Sequence, residues 1–500
     1  MMEPSYSRVV ELVLPEGIVV SAALSVLTID VLFMHGAEKR ARFITGAAIS
    51  CAGCVGAILC LLISPHQADI FDGMLVISKQ SEMIECAVLV LATLLIVMSI
   101  GSTFTEHIGE YLALNLFATA SMMFLVSSEN VLLIFISLEL LSLSLYVLAA
   151  FDKRSMQSAE AALKYFLFGG MSAAFMLFGL SLVYGLTNSA NLTRVAHAIK
   201  GPSMDPLLAV AIVMMVIGFG FKVAAVPFHF WAPDVYEGAP TSSAALIASS
   251  AKVAGLVVFY RVMVIGFPGV EGSAAWGTYI PGWVPVVAIV AALSMVMGNL
   301  VAIRQTSVKR LLSYSAIAHV GYMLLGLVSH TEQSFAALLY YALTYALTTV
   351  GAFGVVAVVE EQIGSDRLCE FSGLSRRAPV LSFCMLIFLL SLAGIPPLAG
   401  FFGKFYIFTL TLVGAPRTLD LLWLVVLATT MSAVSLYYYL QVLKRIYIAD
   451  PPSEAGKIST PIVSQIALCL IAFSVLLLGC VPNILLVWLQ QAAGTIRFRS

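Results

Sequence analysis

Apolar stretches of roughly twenty residues fill almost the whole 500-residue sequence, and each is long enough as a helix to cross a ~30 Å hydrocarbon core. We count about fourteen such stretches and predict a transmembrane helix for each. With 60% hydrophobic and 11% charged residues, the sequence leaves no room for a soluble globular domain. The predicted fold class is an all-α polytopic membrane protein.

The predicted helices form a single domain over residues 1–500. In order, they begin near Glu16, Arg42, Glu82, Gly109, Glu129, Glu160, Pro206, Pro240, Tyr279, Thr306, Gln333, Arg377, Thr418 and Thr460. N-terminal helices over 16–101 and a C-terminal helix over 460–490 flank two approximate halves, 109–265 and 279–447.

Loop lysines and arginines predict the orientation, because cytoplasmic loops carry an excess of them. The loops after odd-numbered helices hold the larger group: Lys39, Arg40, Arg42, Lys153, Arg154, Arg304, Lys309, Arg310, Arg367, Arg376, Arg377, Lys444, Arg445 and Lys457. The other side, which includes both termini, holds Arg8, Lys79, Arg194, Lys200, Arg261, Arg417, Arg497 and Arg499. We therefore expect both termini to face away from the cytoplasm.

The remaining cations fall inside predicted helices, and three of them, Lys222, Lys252 and Lys404, lie well within their spans. A charged side chain at the bilayer centre costs about 2.5 to 3.5 kcal/mol, so such a lysine faces a partner or a water-filled path. The fourth, Lys164, is near a helix end, where it either snorkels to the headgroups or joins a proton path. This pattern indicates ion movement inside the bilayer.

Two lysine-bearing helices are predicted to be broken, because proline removes a backbone donor and clashes with the preceding turn. The breaking residues are Pro227 and Pro233 after Lys222, and Gly394, Pro396 and Pro397 before Lys404. A weak repeat accompanies the breaks: Ala161-Ala-Leu-Lys-Tyr165 and Ala336-Ala-Leu-Leu-Tyr340 each open a helix. The repeat units are an odd number of helices apart, which predicts the inverted repeats common in transporters.

Glu139, within Ile136-Ser-Leu-Glu-Leu-Leu-Ser142, is the candidate carboxylate inside the membrane. Burial favours the neutral form of a carboxyl group, whereas a nearby lysine favours the ion. A Glu139–Lys222 pair would therefore act as a charge switch that releases a proton when the lysine approaches. A static buried ion pair is the alternative.

The other candidates are polar residues elsewhere in the predicted helices of both halves and at one of the breaks. Lys252 lies among small residues in Ala248-Ser-Ser-Ala-Lys-Val-Ala-Gly255, which leave room for water. His319 is inside a span and can relay protons between lysines, although a packing role is its ordinary alternative. A polar stripe at helical spacing follows in Tyr341, Thr344, Tyr345 and Thr348. His229 adjoins a break and is either a proton-uptake residue or a loop cap.

The sequence shows no phosphate loop, dinucleotide fingerprint, iron–sulfur cysteine cluster or paired-histidine haem pattern. Cys51 and Cys54 form a C-x-x-C in an apolar helix without a second ligand pair and are interpreted as packing residues. We predict no metal, cofactor or redox site in this chain, so any redox chemistry belongs to other chains.

Four stretches resemble the antiporter-like proton-pumping subunits of respiratory complex I, and the resemblance covers nearly the whole chain. They are Glu160-Ala-Ala-Leu-Lys-Tyr-Phe-Leu-Phe-Gly169, Pro227-Phe-His-Phe-Trp-Ala-Pro-Asp-Val-Tyr-Glu-Gly-Ala-Pro-Thr241, Lys309-Arg-Leu-Leu-Ser-Tyr-Ser-Ala-Ile-Ala-His-Val-Gly-Tyr322 and Gly394-Ile-Pro-Pro-Leu-Ala-Gly-Phe-Phe-Gly-Lys404. Within the family, the segment from Asp234 to Thr241 resembles subunit N of NADH-quinone oxidoreductase. The sister subunit M usually has a glutamate where Lys404 stands.

The resemblance implies a fourteen-helix core with inverted repeats in helices 4–8 and 9–13. It also implies a hydrated axis, in which Lys222 with Glu139 gates, Lys252 and His319 relay, and Lys404 is the distal site. The accessory candidates are Lys164, His229, Tyr322, Tyr341 and Tyr345. Quinone reduction elsewhere in the complex would drive the protons, with FMN, iron–sulfur clusters and the NADH and quinone sites on other subunits.

The implied partners are neighbouring antiporter-like and small membrane subunits, in a bacterial inner membrane. A plastid or cyanobacterial version that takes electrons from ferredoxin would show nearly the same motifs. Two other functions stay open at this point: a subunit of a multi-subunit Na⁺/H⁺ antiporter, and a non-pumping scaffold whose buried charges hold neighbouring chains together.

Overall fold

The computed structural model describes residues 6–63, 67–199, 205–277, 279–413, 420–451 and 456–493, and most of them are helical. The helices are α1 (Tyr6–Leu12), α2 (Leu14–Phe33), α3 (Lys39–Ile63), α4 (Lys79–Ser99), α5 (Ile108–Val126), α6 (Val131–Ala149), α7 (Met156–Thr187), α8 (Leu192–Ala198), α9 (Pro206–Val223), α10 (Trp231–Gly238), α11 (Thr241–Ala248), α12 (Ser250–Gly266), α13 (Trp283–Ala302), α14 (Val308–Ser329), α15 (Glu332–Ile363), α16 (Leu374–Arg377), α17 (Pro379–Ala393), α18 (Ala399–Val413), α19 (Leu422–Tyr447), α20 (Ile462–Cys480) and α21 (Asn483–Ala493). The loops add a 3-10 turn (Leu368–Phe371) and two antiparallel hairpins, β1 (Ala68–Ile70) with β2 (Leu75–Ile77) and β3 (Ser273–Ala274) with β4 (Tyr279–Ile280). The all-α prediction is confirmed.

Thirteen helical segments of the described chain are long and apolar enough to cross a membrane, with α11 and α12 counted together. The twelfth predicted span consists instead of two shorter apolar helices, α17 and α18. The predicted start of the next span, Thr418, lies outside the described residues, and the helix there begins at Leu422.

Loop contacts define the two ends of the helix bundle. At one end, the hairpin β1–β2 is attached to the end of α5 by a hydrogen bond from Val76 N to Ser127 O (2.7 Å). We call this end the hairpin face. We call the other end the opposite face. There, Lys39, the first residue of α3, donates from Nζ to Thr103 O (3.0 Å).

Within the described residues, three breaks interrupt helices inside the bundle. α9 ends at Val223 and is followed by Ala224 in the left-handed conformation (φ 62°), while α17 ends at Ala393 and is followed by Gly394 (φ 86°). These two breaks are where the prolines and Gly394 predict them. The third, at Ser249 between α11 and α12, was not predicted, since the sequence suggested one helix from Pro240; serine pairs are a known cause of such kinks.

Arg261 lies inside α12 with 2% of its surface exposed, so its assignment to a loop is wrong. Its guanidinium donates to the Val126 carbonyl and to Gln80 Oε1 (3.2 Å), which take the place of the water around a loop arginine. Lys200, Arg417, Arg497 and Arg499 of the same group lie outside the described residues. The orientation of the chain and its inverted repeat stay predictions.

Glycines let α13 and α14 pack with their backbones in close contact. A Cβ at Gly298 would lie 2.6 Å from Ala318 N, and one at Gly321 would lie 2.8 Å from Ala291 O. Close approach through small residues is how membrane helices gain packing energy without a hydrophobic driving force. The contact holds the middle of α14, including His319, at a defined position in the core.

Candidate functional site

Lys222 and Glu139 line the same small cavity but do not touch. The cavity is about 20 Å³ and is also lined by Ser142. Lys222, which is 7% exposed, donates from Nζ to Ser142 Oγ (3.0 Å), and no ion pair within 4.0 Å joins it to Glu139 among the described contacts. Glu139 is half-buried on α6, so the structure brings the predicted pair together without a direct salt bridge.

Lys252 lies just after the break at Ser249, on the first turn of α12. It is 3% exposed, and its Nζ has no hydrogen-bond partner among the described residues. The ammonium lies over the ring of Tyr236, 5.6 Å from the centroid, at a distance where a cation–π attraction operates. Gly255 brings the same helix close to Lys222, since a Cβ there would lie 3.4 Å from Lys222 Cγ.

His319 is 2% exposed in the middle of α14 and is held by two tyrosine hydroxyls. Its Nδ1 is 2.7 Å from Tyr341 Oη, and its Nε2 is 3.2 Å from Tyr439 Oη. The ring of Tyr345 lies 5.0 Å away, centroid to centroid. Since each hydroxyl can donate or accept a hydrogen bond, both ring nitrogens are connected to groups that can pass a proton.

The tyrosines around His319 belong to a larger hydroxyl cluster. Tyr439 is hydrogen-bonded to Ser315 of α14. Tyr322 Oη is 2.9 Å from Asn299 Nδ2, and Asn299 Oδ1 accepts from Tyr438 (3.1 Å). The cluster therefore joins α13, α14, α15 and α19 around one histidine.

Lys404 is 4% exposed on α18 and is held at the break before its own helix. Its Nζ donates to the carbonyls of Leu392 (2.9 Å) and Ala393 (3.2 Å) and to Ser432 Oγ (3.0 Å). The ammonium also lies over the ring of Tyr322, 5.1 Å from the centroid. A cation is favoured here because the C-terminal carbonyls of a helix carry a partial negative charge.

A charged cluster at the opposite face joins the two predicted halves. Asp234 of α10 accepts from Lys164 (2.6 Å) and from Arg310 (2.8 Å), and Arg310 also pairs with Glu237 (2.9 Å). Lys164 additionally pairs with Glu160 (2.7 Å). Lys164 is thus engaged in ion pairs at this end of the bundle, away from the row of buried lysines.

The remaining candidates are His229 and the polar stripe of α15. His229 is 5% exposed, and its Nδ1 lacks a hydrogen-bond partner among the described residues. In the predicted polar stripe of α15, the hydroxyls of Thr344 and Thr348 bond back to carbonyls of their own helix. Tyr341 and Tyr345 are therefore the members of that stripe that reach His319.

Several polar residues of the site were missed from the sequence. They are Ser142, Tyr236, Asn299, Ser432, Tyr438 and Tyr439. Asn299 within an apolar helix and the run of tyrosines at 437–439 were available as signals. Within the ranges that the structure describes, no group of three or more His, Cys, Asp or Glu residues is arranged to hold a metal ion.

Residues 128–435 match the family model described as NADH:quinone oxidoreductase/Mrp antiporter, TM. NADH-quinone oxidoreductase subunit N 2 from Acidobacterium capsulatum is 51% identical over 497 residues, which cover 97% of this chain and 99% of that protein. Subunit N from Desulforamulus reducens is 40% identical over 421 residues, covering 84% of this chain and 85% of the relative.

Solved structures show the same similarity in three dimensions. A chain of respiratory complex I from Thermus thermophilus with bound aureothin is 34% identical with a TM-score of 0.75, over 96% of this chain and 99% of that chain. A chain of the Mrp complex from Dietzia sp. DQ12-45-1b has a TM-score of 0.80 over 97% of this chain and 98% of that chain. It is 19% identical, which makes it a likeness of fold alone.

Proposed function

This chain belongs to the NADH-quinone oxidoreductase subunit N family, and we propose that it carries protons along the buried groups from Glu139 to Lys404. As a member of that family it is an antiporter-like, proton-translocating membrane subunit of complex I, and its partners are other membrane subunits of the complex. The observation that carries the proposed route is that Lys222, Lys252, His319 and Lys404 are all nearly fully buried. The helix of Lys222 packs against that of Lys252, the helix of His319 packs against that of Lys404, and α15 packs against both α12 and α14.

The first step of the route is a charge switch between Glu139 and Lys222. The two groups share a cavity, and Lys222 is held there by one hydrogen bond to Ser142. Approach of the ammonium to Glu139 favours the carboxylate and releases its proton, while withdrawal favours protonation. A cavity between the groups, rather than a closed ion pair, leaves Lys222 space for that movement.

The middle of the route is Lys252 and His319. Gly255 places the helix of Lys252 against the side chain of Lys222, and the absence of a described hydrogen-bond partner leaves the Lys252 ammonium available for proton exchange. His319 continues the route through Tyr341 and Tyr439. No described hydrogen bond links Lys252 directly to His319, so transfer between them requires intervening water.

The last group is Lys404, which contacts the hydroxyl cluster through the ring of Tyr322. We assign Glu139 to Lys252 to the first half, 109–265, and His319 to Lys404 to the second, 279–447. In this proposal the halves act as two ion-carrying units that meet between Lys252 and His319.

The rival functions are separated by different observations. The Mrp complex resembles this chain in fold at 19% identity, whereas the Acidobacterium subunit N is 51% identical over almost its whole length. This favours a redox-driven pump over a Na⁺/H⁺ antiporter. A scaffold role would not require buried ionisable groups in both halves, each with room or partners for proton exchange.

We further propose that this chain binds no redox group itself and that FMN and iron–sulfur clusters are held by other subunits of the complex. We place the chain in a bacterial inner membrane with both termini outside the cytoplasm, as the loop cations suggest. Labelling of single cysteines introduced at Arg154 and Arg194 with a membrane-impermeant reagent tests the orientation, since reaction at residue 154 in intact cells contradicts it.

Replacing Lys252 with methionine tests the route with little structural disturbance. The side chains have similar length, and Lys252 donates no hydrogen bond to any described residue, so the change leaves no known acceptor unsatisfied. Because a positioned proton-transfer group contributes roughly 10² to 10⁴-fold, we expect proton pumping by the reconstituted complex to fall at least about tenfold. Lys153→Met removes an exposed loop cation and serves as the control. An assembled Lys252→Met complex with unchanged protons per electron contradicts the route.

A further inference from the structure

A small cavity at the hairpin face is lined by carboxyl groups that the proposed proton route does not use. Its volume is about 40 Å³, and both Glu16 of α2 and Glu85 of α4 line it. Their side chains are 2% and 3% exposed, respectively. Since one water molecule needs roughly 10 to 15 Å³, the cavity has room for water between these groups.

Neither glutamate has a described counter-ion. No lysine, arginine or histidine nitrogen of the described residues lies within 4.0 Å of a carboxylate oxygen of Glu16 or Glu85. Glu16 Oε2 is buried and has no hydrogen-bond partner among those residues. Burying an unpaired carboxylate costs several kcal/mol in general, so such a group is expected to bind a proton or a cation.

Other ionisable groups surround the pair. Glu11 of α1, Glu82 of α4 and the Cys60 thiol of α3 line the same cavity. The cation on the neighbouring helix α12 is Arg261, whose positive charge acts on Glu85 from a distance. Its guanidinium donates to the Val126 carbonyl and to Gln80 Oε1, and it forms no ion pair within 4.0 Å with Glu85 among the described contacts. Two buried carboxyl groups that share a cavity without a cation in direct contact cannot both ionise easily, which favours retention of a proton by one of them.

We propose that Glu16 and Glu85 share one exchangeable proton in this cavity and form a proton-release site at the hairpin face. The sharing of the proton is independent of the proposed pumping route, whereas the release role rests on it. α12 connects the two regions, because Lys252 is on its first turn and Arg261, nearer its other end, bonds Gln80 at the start of α4. A proton leaving the Lys252 region would reach water at the end of the bundle where the cavity lies.

Infrared difference spectroscopy of the purified complex tests the shared proton. We expect a protonated carboxyl stretch at neutral pH that shifts in D₂O and is lost in both Glu16→Gln and Glu85→Gln, but retained in Glu38→Gln, an exposed loop control. Loss of the band in one single variant alone means that one glutamate holds the proton by itself and overturns the sharing of the proton. Presence of the same band in all variants overturns the site.

The bound species is tested by repeating the spectra with sodium replaced by choline. We expect the band to be the same in both salts. A protonated carboxyl band that appears only when sodium is removed identifies the pair as a sodium site and overturns the proposal.

The release role is tested by proton pumping of the Glu16→Gln/Glu85→Gln double variant, with assembly checked on native gels. We expect pumping to fall several-fold relative to Glu38→Gln. An assembled double variant that pumps at the wild-type ratio, while Lys252→Met does not, overturns the release role and leaves the main route intact. If both variants pump normally, the route itself is wrong.

Discussion

The two predicted helix breaks differ in what satisfies the carbonyl groups at the end of the first helix. After α9, the Phe221 carbonyl accepts a hydrogen bond from Trp231 Nε1 (3.1 Å). Lys222 is therefore not needed at the break and donates instead to Ser142 of α6, beside Glu139. It is a lysine held by one described hydrogen bond next to a carboxyl group.

After α17, the lysine itself satisfies the break. Lys404 donates to the carbonyls of Leu392 and Ala393 and to Ser432, and no described carboxylate oxygen lies within 4.0 Å of it. Of two buried lysines at helix breaks, Lys222 has a single described hydrogen bond and can move, whereas Lys404 is held in place by two backbone carbonyls and a serine. In the proposed route, Lys222 is the switch and Lys404 is a stationary distal site.

The largest effect is expected at Lys222, where a substitution should impair proton pumping without impairing assembly of the complex. Lys222→Met should reduce proton pumping at least about tenfold, because a positioned proton-transfer group contributes roughly 10² to 10⁴-fold. Assembly should be retained, since the break after α9 keeps its indole donor. Protons pumped per NADH oxidised in liposomes, alongside native-gel yield, measure the two properties. Normal pumping by an assembled variant rejects the switch.

Lys404→Met should instead impair stability first. The variant leaves two buried carbonyls, those of Leu392 and Ala393, without their described donor, and each unsatisfied group costs about 1 to 3 kcal/mol. We expect lower yield and faster thermal inactivation of the complex than with Lys222→Met. Lys404→Arg, which keeps donors, should recover part of the loss. Equal stability of the two methionine variants would remove the distinction between the breaks.

Smaller effects are expected on replacing Ser142 and Ser432, which accept hydrogen bonds from Lys222 and Lys404, respectively. Ser142→Ala removes the single described hydrogen bond of Lys222, and bonds to charged groups contribute about 1.5 to 3 kcal/mol. Ser432→Ala leaves Lys404 with two carbonyl acceptors. The pH profile of pumping should therefore change more in Ser142→Ala. A larger change in Ser432→Ala contradicts the assignment of Lys404 as the fixed group.

The smallest effect is expected where the two halves are joined at the opposite face. Asp234→Asn removes one ion pair of Arg310 and one of Lys164, but Arg310 keeps Glu237 and Lys164 keeps Glu160. The side chains of Asp234, Arg310 and Lys164 are about one-third exposed. Ion pairs of this kind contribute roughly 0 to 1 kcal/mol and are screened by salt. The melting temperature of the complex should fall slightly in low salt and be unchanged in high salt. A large fall in both salts means that Asp234 does more than join the halves.

Hydropathy alone predicted the all-α fold and the approximate starts of most of the spans, because a bilayer admits few structures other than apolar helices. Proline and glycine likewise predicted two breaks, since their backbone restrictions are local. The break at Ser249 escaped prediction, because small residues permit a kink without requiring one. Arg261 was misplaced, because its acceptors come from helices far away in sequence.

For the site, the sequence by itself determined that Lys222, Lys252 and Lys404 are buried, since a lysine inside an apolar span is unusual wherever the helix packs. The tertiary structure decided their partners. It placed Tyr341 and Tyr439 on either side of His319, Lys404 against the end of α17, and Glu85 and Glu16 around the same cavity. Each of these contacts joins different helices, and the crossing and rotation of helices depend on packing over the whole bundle rather than on local sequence.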